Sequence, residues 1–308
     1  MELISIIVPC FNEEASLPIF YKEIIVVLKE IGLAYEILFI DDGSSDGTLA
    51  MLQLFANQNS SVFYYSFSRN FGKEAAMLAG LNESRGDYVV LMDADLQHPP
   101  YLLIEMIRCL KQDSIDCVGA KRMDRKGEGK LRSMFSRSFY YLINRIFHLE
   151  MVDGQGDYRM MSRAMVHSLL SMKEYNRYLK GMFNFVGYQT KWIPYDNVER
   201  IAGDSKWSMK QLFAYAVEGI FSFSTAPLML ASLLGTIFIL IGFILCIYIM
   251  LTKFTTFKVI MMMLFLLSGF QLFFLGIVGE YLAKNYLESK HRPSYIIQNS
   301  NRIKKVGT

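Results

Sequence analysis

A short apolar run passes directly into a polar, glycine-containing turn in the segment Tyr35-Glu36-Ile37-Leu38-Phe39-Ile40-Asp41-Asp42-Gly43-Ser44-Ser45-Asp46-Gly47-Thr48. The apolar run has the length and composition of a buried strand, and a helix is expected from Thr48 to about Asn57. Similar strands are expected at Ile4–Val8, Val62–Phe67 and Tyr88–Met92, and helices at Ser16–Leu28, capped by Ser16, and at Lys73–Asn82. This alternation predicts an α/β fold with a doubly wound, mainly parallel sheet, in which ligands bind beyond the carboxyl ends of the strands.

The composition narrows the class of protein. The chain has 308 residues, of which 52% are hydrophobic, so it is too apolar for disorder and long enough for one large domain and a further segment. A net charge of only +3 gives no reason to propose nucleic acid as a partner. Four cysteines without a CxxC pair favour a reducing compartment over a disulfide framework. The N-terminus lacks the basic region of a signal peptide and predicts a first strand, so the bulk of the chain is expected in the cytoplasm.

Two long uncharged stretches lie in the last third of the chain, at 227–251 and 259–279, separated by Thr252–Lys258. Each meets the ~20-residue length that a helix needs to cross a hydrocarbon core. They predict a two-helix transmembrane hairpin; a pair of buried core helices is the alternative. The expected domains are therefore the α/β domain at 1–226, the hairpin at 227–283, and a polar, loosely ordered cytoplasmic tail at 284–308.

Two amphipathic stretches precede the hairpin, at 130–148 and 206–223. The first places Arg132, Arg137 and Arg145 opposite an apolar face. Either stretch is interpretable as a helix packed on the core or as a helix lying on an anionic membrane surface. The hairpin that follows favours the membrane surface.

Clustered acids end the strand predicted at Tyr88–Met92, in the segment Asp93-Ala94-Asp95-Leu96-Gln97. Buried carboxylates are costly unless a cation pairs with them. Mg²⁺ or Mn²⁺ bridging a diphosphate is a suitable partner, because these ions prefer carboxylate, carbonyl and phosphate oxygens. The segment therefore predicts a divalent metal site formed by Asp93, Asp95 and Gln97.

Two further polar turns follow strands. In the turn after Ile40, Asp42 can accept hydrogen bonds from a base or a ribose hydroxyl, while the glycines allow close backbone approach. An ordinary turn in which Asp46 caps a helix is the alternative. In the turn after the first strand, Phe11 and Glu13 can hold a nucleoside. The sequence contains no GxGxxG after the first strand and no GxxxxGK[ST], which disfavours dinucleotide dehydrogenases and P-loop NTPases.

Three motifs in this order resemble the inverting family 2 glycosyltransferases: Val-Pro-Cys-Phe-Asn-Glu-Glu at 8–14, Asp-Asp-Gly-Ser-Ser-Asp-Gly-Thr at 41–48, and Met-Asp-Ala-Asp-Leu-Gln-His-Pro-Pro at 92–100. More narrowly, the chain is similar to the polyprenyl-phosphate group, which includes bactoprenol glucosyltransferases and dolichyl-phosphate mannose synthases. The segments at 68–74, 156–159, 200–208 and 279–282 also fit, so the resemblance covers nearly the whole chain.

The resemblance implies a GT-A type nucleotide-sugar domain and a role for each matching position. Asp157 matches an acidic residue near the reacting centre, as a base or as an orienting group. Arg122 matches a basic residue near the donor, and Arg200 and Lys206 match a mobile loop over the donor and acceptor phosphates. The implied donor-binding set is Pro9, Phe11, Glu13 and Asp42 for the nucleoside, and Asp93, Ala94, Asp95 and Gln97 for the diphosphate and metal.

The expected reaction moves one hexose from a nucleotide-sugar to polyprenyl (undecaprenyl) phosphate at the cytoplasmic face of the inner membrane, in a multi-pass protein. UDP-glucose is the first choice of donor by resemblance, ahead of UDP-N-acetylglucosamine, UDP-galactose and GDP-mannose. A processive polysaccharide synthase and a non-catalytic membrane sensor or scaffold are the alternatives. Gln189-Thr190-Lys191-Trp192 is a poor match to the QxxRW of processive synthases and predicts a strand. Whether the chain forms a homo-oligomer is left open.

Overall fold

The computed structural model describes residues 2–112, 115–123, 155–175, 177–196 and 256–302, with five single helical positions between 233 and 247. The chain divides into two compact units. The first comprises Met1–Gln211 together with Pro293–Thr308, and the second comprises Leu212–Arg292.

The described part of the first unit contains one sheet of eight strands. The strands are β1 (Leu3–Cys10), β2 (Ala34–Asp41), β3 (Val62–Phe67), β4 (Tyr88–Leu91), β5 (Cys117–Arg122), β6 (Gln155–Ser162), β7 (Thr190–Tyr195) and β8 (Ile297–Ser300). They are ordered β7-β5-β6-β4-β1-β2-β3-β8 across the sheet. β1 pairs in parallel with β2 and β4, β2 with β3, and β5 with β7, whereas β6 and β8 are antiparallel to their neighbours. The predicted α/β sheet is confirmed, and it is a mixed sheet because β6 and β8 run antiparallel to their neighbours.

Six described helices belong to this unit: α1 (Leu17–Ile31), α2 (Thr48–Gln58), α3 (Lys73–Glu83), α4 (Leu102–Gln112), α5 (Arg163–Ser171) and α6 (Leu179–Phe185). Alternate residues of β1 explain why helices cover both faces of the sheet. Ile4, Ile6 and Val8 join the core cluster that includes apolar side chains of α1 and α4. Ile7 points to the other face, where a Cβ added to Gly80 of α3 would lie 2.1 Å from its Cγ2. α3 therefore packs closely against the sheet, and the fold is doubly wound.

Ser16 is the N-cap residue of α1, as predicted, but its side chain does not form the capping hydrogen bond. The Ser16 hydroxyl instead donates to a Glu13 carboxylate oxygen at 2.7 Å and to the Glu13 carbonyl at 3.1 Å. Pro18 follows in the first turn, where a missing N–H has no cost. Ser16 thus fixes the loop before the helix rather than capping the helix.

The tail after residue 290 adds the edge strand β8, so the prediction of a loosely ordered tail is wrong here. β8 pairs antiparallel with β3, and the neighbouring Asn301 accepts from the Tyr64 amide and donates to the Val62 carbonyl, both at 2.9 Å. Arg302 then pairs with the buried Glu36 of β2. Through these contacts, the chain that follows the second unit forms part of the sheet of the first unit.

The second unit contains helix α7, which spans Thr256–Ser289 and covers the second of the two predicted membrane segments. The first segment, 227–251, lies outside the described residues apart from the five single helical positions. Among the residues that the structure describes, no helix combines the length and apolar character needed to cross a membrane. The amphipathic stretches at 130–148 and 206–223 also lie outside the described residues.

Candidate active site

The site lies at the sheet edge where β1, β2, β4 and β5 end and where β6 begins. β6 is antiparallel to both β4 and β5, with Leu91 opposite Arg159 and Gly119 opposite the same Arg159. The first residues of β6 therefore reach the edge to which β4 delivers Asp93. This topology brings Asp157 to the acidic segment, although 64 positions and several elements separate them in the sequence.

The turns after β1 and β2 are bonded to one another, which joins the two segments predicted to hold a nucleoside. The Asn12 amide donates to the Ser44 hydroxyl at 2.9 Å, and the Ser45 amide donates to the Asn12 side-chain oxygen at 2.8 Å. The Glu13 amide donates to the Thr48 hydroxyl at 2.8 Å. Asn12 has a φ of 54°, a left-handed conformation that asparagine tolerates better than most residues. The result is one cross-linked surface beside the half-buried Phe11.

Asp42 holds the loop after β3. Its two carboxylate oxygens accept the backbone amides of Phe71 at 2.6 Å and Gly72 at 2.9 Å. Burial raises the pKa of the Asp42 carboxyl to about 6, although the two amide hydrogen bonds oppose that shift. Gly43 makes the close approach possible, because a Cβ there would lie 2.5 Å from the Arg69 carbonyl carbon. Asp42 therefore positions the chain immediately before Lys73.

Lys73, the first residue of α3, bridges two carboxylates. Its Nζ lies 2.7 Å from Oδ1 and 2.9 Å from Oδ2 of Asp93, and 3.0 Å from Oδ2 of Asp157. Burial lowers the pKa of the Lys73 ammonium, but the two carboxylates outweigh burial and raise the pKa above its ordinary value. Burial conversely raises the pKa of Asp157, but Lys73 and the nearby Lys180 hold that pKa well below its usual range. All three groups are charged at neutral pH.

The turn after Asp93 is held by His98. The Asp93 amide donates to Nδ1 of His98 at 3.0 Å, which requires the neutral tautomer with its proton on Nε2. Burial lowers the pKa of this imidazole and so favours the neutral form. The ring stacks on Tyr158 with centroids 4.9 Å apart, and the Tyr158 hydroxyl donates to the Pro99 carbonyl. His98 therefore anchors the strand-to-turn transition that presents the acids.

Asp95 and Gln97, the other predicted ligands in this turn, flank a residue with left-handed backbone geometry. Leu96 has a φ of 60°, and the Gln97 amide donates to the Asp95 carboxylate at 3.1 Å. Among the described residues, no three histidine, cysteine, aspartate or glutamate side chains come together as a complete metal site. Asp93, Asp95 and Gln97 nevertheless share one turn at the sheet edge. Such a partial set suits Mg²⁺ or Mn²⁺, which usually use one or two carboxylates together with substrate phosphates.

The comparisons with known proteins decide the family. The model described as Glycosyl transferase family 2 matches residues 5–170, which is more than half of the chain. The chain belongs to glycosyltransferase family 2. It is 44% identical to CsbB of Bacillus subtilis (strain 168), named only as a glycosyltransferase, over 97% of this chain and 92% of that protein.

Two further family members have more specific names. The prophage bactoprenol glucosyl transferase homolog of Escherichia coli (strain K12) is 37% identical over 98% of this chain and 99% of its own length. The bactoprenol glucosyl transferase of Shigella phage SfV is 37% identical over 97% of this chain and 99% of its own length.

Solved structures agree with the fold. The glucosyl-3-phosphoglycerate synthase of Mycobacterium tuberculosis, in complex with Mn²⁺, UDP and phosphoglyceric acid, aligns with a TM-score of 0.52 at 19% identity. The alignment covers 73% of this chain and 78% of that one. At this identity the likeness supports the GT-A-like mixed sheet and nothing finer.

Several residues of the candidate site were not predicted from the sequence. Lys73 lies in the segment that resembles the family, but no role was assigned to it. The four histidines form no ligand cluster in the sequence, so His98 was interpreted as structural, and Lys180 was not singled out. The polar character of each residue is visible in the sequence, whereas the pairing of Lys73 with Asp157 depends on long-range topology.

The other positions predicted for the candidate site fall into two groups. Pro9 lies near the end of β1 opposite Ile40, and Arg122 is the last residue of β5, opposite Tyr195 of β7. Both strand ends lie at the same edge as Asp93. Arg200 and Lys206 lie outside the described residues, so the loop predicted from the resemblance remains a prediction.

Proposed function

We propose that the chain transfers a single hexose from a nucleotide-sugar to polyprenyl phosphate with inversion at the anomeric carbon, with UDP-glucose as the donor and undecaprenyl phosphate as the acceptor. The observation that carries this proposal is near full-length similarity to proteins named bactoprenol glucosyl transferase. The similarity includes the segment after the nucleotide-sugar domain, which a match of the domain alone would not include. The sugar is inferred from those names, and UDP is chosen from the resemblance to the polyprenyl-phosphate group.

The proposed reaction is a single displacement. A phosphate oxygen of the lipid forms a bond to C1 of the sugar, while the bond from C1 to the diphosphate oxygen breaks and the nucleoside diphosphate leaves from the opposite face. A phosphate monoester has a second pKa of ~6 and is mostly dianionic at neutral pH, so the attacking oxygen needs no proton removed. The enzyme must instead align the reactants and place positive charge beside the departing diphosphate.

A divalent cation, Mg²⁺ or Mn²⁺, is proposed at the turn that contains Asp93, Asp95 and Gln97. When bound, it supplies positive charge to the diphosphate. The three proposed ligands support this assignment, because each offers an oxygen and together they leave coordination positions for the phosphates. The similar fold of the Mn²⁺ and UDP complex is consistent with it. Arg122 at the end of β5 is proposed to add a further cation near the donor.

Asp157 is proposed as an orienting group rather than a base. Its carboxylate is paired with Lys73 at 3.0 Å, and its pKa lies well below the usual range. A carboxylate with so low a proton affinity is a poor acceptor for a proton at neutral pH. The dianionic acceptor also removes the need for a base. Asp157 can instead fix Lys73 and a hydroxyl of the sugar.

The nucleoside is proposed to lie against the linked turns after β1 and β2, in contact with Pro9, Phe11 and Glu13. Asp42 is proposed to contribute to this surface, both directly and by holding the loop at Phe71 and Gly72. The segment with Arg200 and Lys206 is proposed as a lid that closes over the phosphates. A cationic lid would order when the phosphates arrive and would exclude water during transfer.

The chain is further proposed to be anchored in the cytoplasmic membrane by a hairpin at 227–283, with the catalytic domain at 1–226 and the tail at 284–308 on the cytoplasmic side. The support is the sequence, in which 227–251 and 259–279 carry no charge. In the second unit, Leu233, Ile244, Phe273 and Leu275 each expose more than half of their surface. Exposed apolar side chains of this kind are suited to contact with the hydrocarbon of a bilayer.

The anchor would explain how the enzyme reaches its acceptor. Removing a polyprenyl chain from lipid into water is prohibitive at ~0.8 kcal/mol per CH₂. An enzyme held at the bilayer surface need only admit the charged head of the lipid. The basic face at Arg132, Arg137 and Arg145 would add attraction to anionic headgroups of ~1 kcal/mol for each residue close to the surface.

The test is a panel of radiolabelled nucleotide-sugars offered to the full-length protein with undecaprenyl phosphate and Mn²⁺ or Mg²⁺. We expect labelled lipid from UDP-glucose, with one sugar per lipid by mass spectrometry. A polymer would identify a processive synthase. Nucleotide-sugar binding without transfer from any donor would favour a sensor. Efficient transfer from a different donor would retain the reaction class and replace glucose.

A further inference from the structure

The Lys73 ammonium already contacts the Asp93 carboxylate, which a divalent cation would also need. Its ammonium contacts both oxygens of Asp93, at 2.7 and 2.9 Å, as well as Oδ2 of Asp157 at 3.0 Å. A metal ion coordinated by Asp93 must therefore share or displace these contacts. Because ammonium and metal are both cations, they also repel one another at close range.

Hydrogen bonds of the neighbouring residues fix the backbone position of Lys73. Lys73 follows directly after Phe71 and Gly72, whose amides are held by the Asp42 carboxylate. The next residue, Glu74, accepts the Leu179 amide at 3.2 Å, which ties the same turn of α3 to α6. The side chain is nevertheless 33% exposed, and that of Asp93 is 29% exposed. The backbone of Lys73 is held firmly, while its side chain remains partly accessible.

We propose that Lys73 is a resident counter-ion that makes binding of the divalent cation dependent on the donor diphosphate. In the donor-free enzyme, Lys73 neutralises Asp93 and Asp157 and opposes the entry of a metal ion. The diphosphate brings enough negative charge to hold both cations, so Lys73 gives up an oxygen of Asp93 and remains paired with Asp157. This inference rests on the metal-dependent reaction proposed above and assigns Lys73 as a positioning residue for it.

The coupling must be reciprocal. If the diphosphate strengthens metal binding, the metal strengthens diphosphate binding by the same factor. Removing the ammonium should strengthen metal binding in the absence of donor, since one competitor and one repulsive charge are lost. A purely structural role predicts the opposite sign, because loss of the bridge would disorder Asp93 and weaken metal binding.

The test is a Mn²⁺ titration of the full-length protein in detergent, followed by the electron paramagnetic resonance of free Mn²⁺, without nucleotide and with saturating UDP. Without nucleotide, Lys73→Met should bind Mn²⁺ about tenfold or more tightly than the wild type. This size follows from the repulsion between a divalent ion and an ammonium about 4 Å apart, even at the dielectric constant of water. UDP should strengthen Mn²⁺ binding less in Lys73→Met than in the wild type. Lys73→Arg, which keeps the charge, should bind as weakly as the wild type.

Lys111→Met is the matched control. Lys111 pairs with Glu2 and lies over Tyr88, at the opposite end of β4 from Asp93. Its removal also deletes one ammonium, but should leave Mn²⁺ binding unchanged. Lys73→Gln serves as a second neutral variant if Lys73→Met fails to fold, as judged by its thermal unfolding.

Equal or weaker Mn²⁺ binding in folded Lys73→Met and Lys73→Gln would overturn the counter-ion role. If the wild type binds Mn²⁺ with UDP and needs it for transfer, only this inference then fails. If no variant binds Mn²⁺ with or without UDP, and transfer is complete in excess chelator, both the inference and the proposed metal fail. Transfer by the wild type can still succeed in that case, which separates the metal from the reaction class.

Discussion

Replacing Arg302 should destabilise the catalytic unit even though this residue lies far along the chain from the sheet it contacts. The guanidinium of Arg302 pairs with Glu36, donates to the Glu83 carbonyl at 2.9 Å and lies 3.8 Å from the Phe63 ring centroid. The side chains of Arg302 and Glu36 are only 10% and 4% exposed. Arg302→Met keeps much of the aliphatic packing and removes the charge that compensates Glu36.

The expected loss follows from what remains around Glu36. Breaking a buried ion pair typically costs about 3–5 kcal/mol. Glu36 would keep the hydrogen bonds from the Ser5 hydroxyl and the Arg85 amide, both at 2.7 Å. These bonds place the expected loss near the lower limit, at about 3 kcal/mol. For a domain of this size, each kcal/mol shifts the melting temperature by about 2–4 °C, so a decrease of about 6–12 °C is expected.

Differential scanning fluorimetry of the full-length protein in detergent measures this decrease. Lys111→Met is the control, because the ion pair of Lys111 with Glu2 is exposed and should change the melting temperature little. Adding Glu36→Gln to Arg302→Met should recover part of the loss, since a neutral amide needs no counter-charge. A decrease in Arg302→Met no larger than that of the control would refute the role of the pair.

Four further outcomes test the site and the anchor. Asp95→Ala should abolish transfer while the protein still folds, and full wild-type activity in excess chelator would contradict a metal role. Lys206→Ala should lower turnover strongly in a steady-state assay and leave binding of the nucleoside intact, because only the lid is affected. Asp157→Asn should lower kcat/KM yet keep an acid limb near pH 6 from the acceptor phosphate. The depressed pKa of Asp157 keeps its carboxylate ionised even below the ordinary range, so it does not titrate near pH 6; loss of that limb would identify a base. A cysteine at Thr255 should label only from outside the cell and one at the exposed Ser289 only from inside, and labelling of both from one side would exclude the hairpin.

The first half of the fold was accessible from the sequence because its signals are local. Apolar runs of strand length alternate with helical periodicity, and the structure places β2 at Ala34–Asp41 and α2 at Thr48–Gln58, close to the predicted bounds. Polar turns at strand ends also identified the correct edge of the sheet. Ser16 occupies the predicted N-cap position, but its side chain does not cap the helix, because its backbone is helical rather than extended and its hydroxyl is turned to Glu13.

The edge strand β8 was not accessible by the same means. Its four residues, Ile297–Ser300, are mostly polar and have no apolar run or clear alternation. The strand is specified by its partner β3 and by side chains such as Asn301, whose contact Tyr64 lies 237 positions earlier. A single-sequence pattern contains no information about such a partner.

The charge pairing of the site was missed for a related reason. The sequence predicted that Asp93 needs a cation, and a metal ion was the only candidate considered. The structure supplies an internal one, Lys73, which is 20 positions away from Asp93 and 84 from Asp157. Only the order of the strands, with β6 placed beside β4, shows that one ammonium can reach both carboxylates.

The position of β8 in the chain has a consequence for the order of events during synthesis. The sheet of the first unit needs β8 and Arg302, yet both are made after the whole of Leu212–Arg292. At 5–20 residues per second, that segment delays the last strand by on the order of ten seconds. During this interval β3 is an open edge and Glu36 lacks its Arg302 partner, so a nascent chain that stalls in the second unit presents an incomplete sheet to chaperones and proteases. The sheet of the first unit can therefore be complete only after the whole second unit has been synthesised.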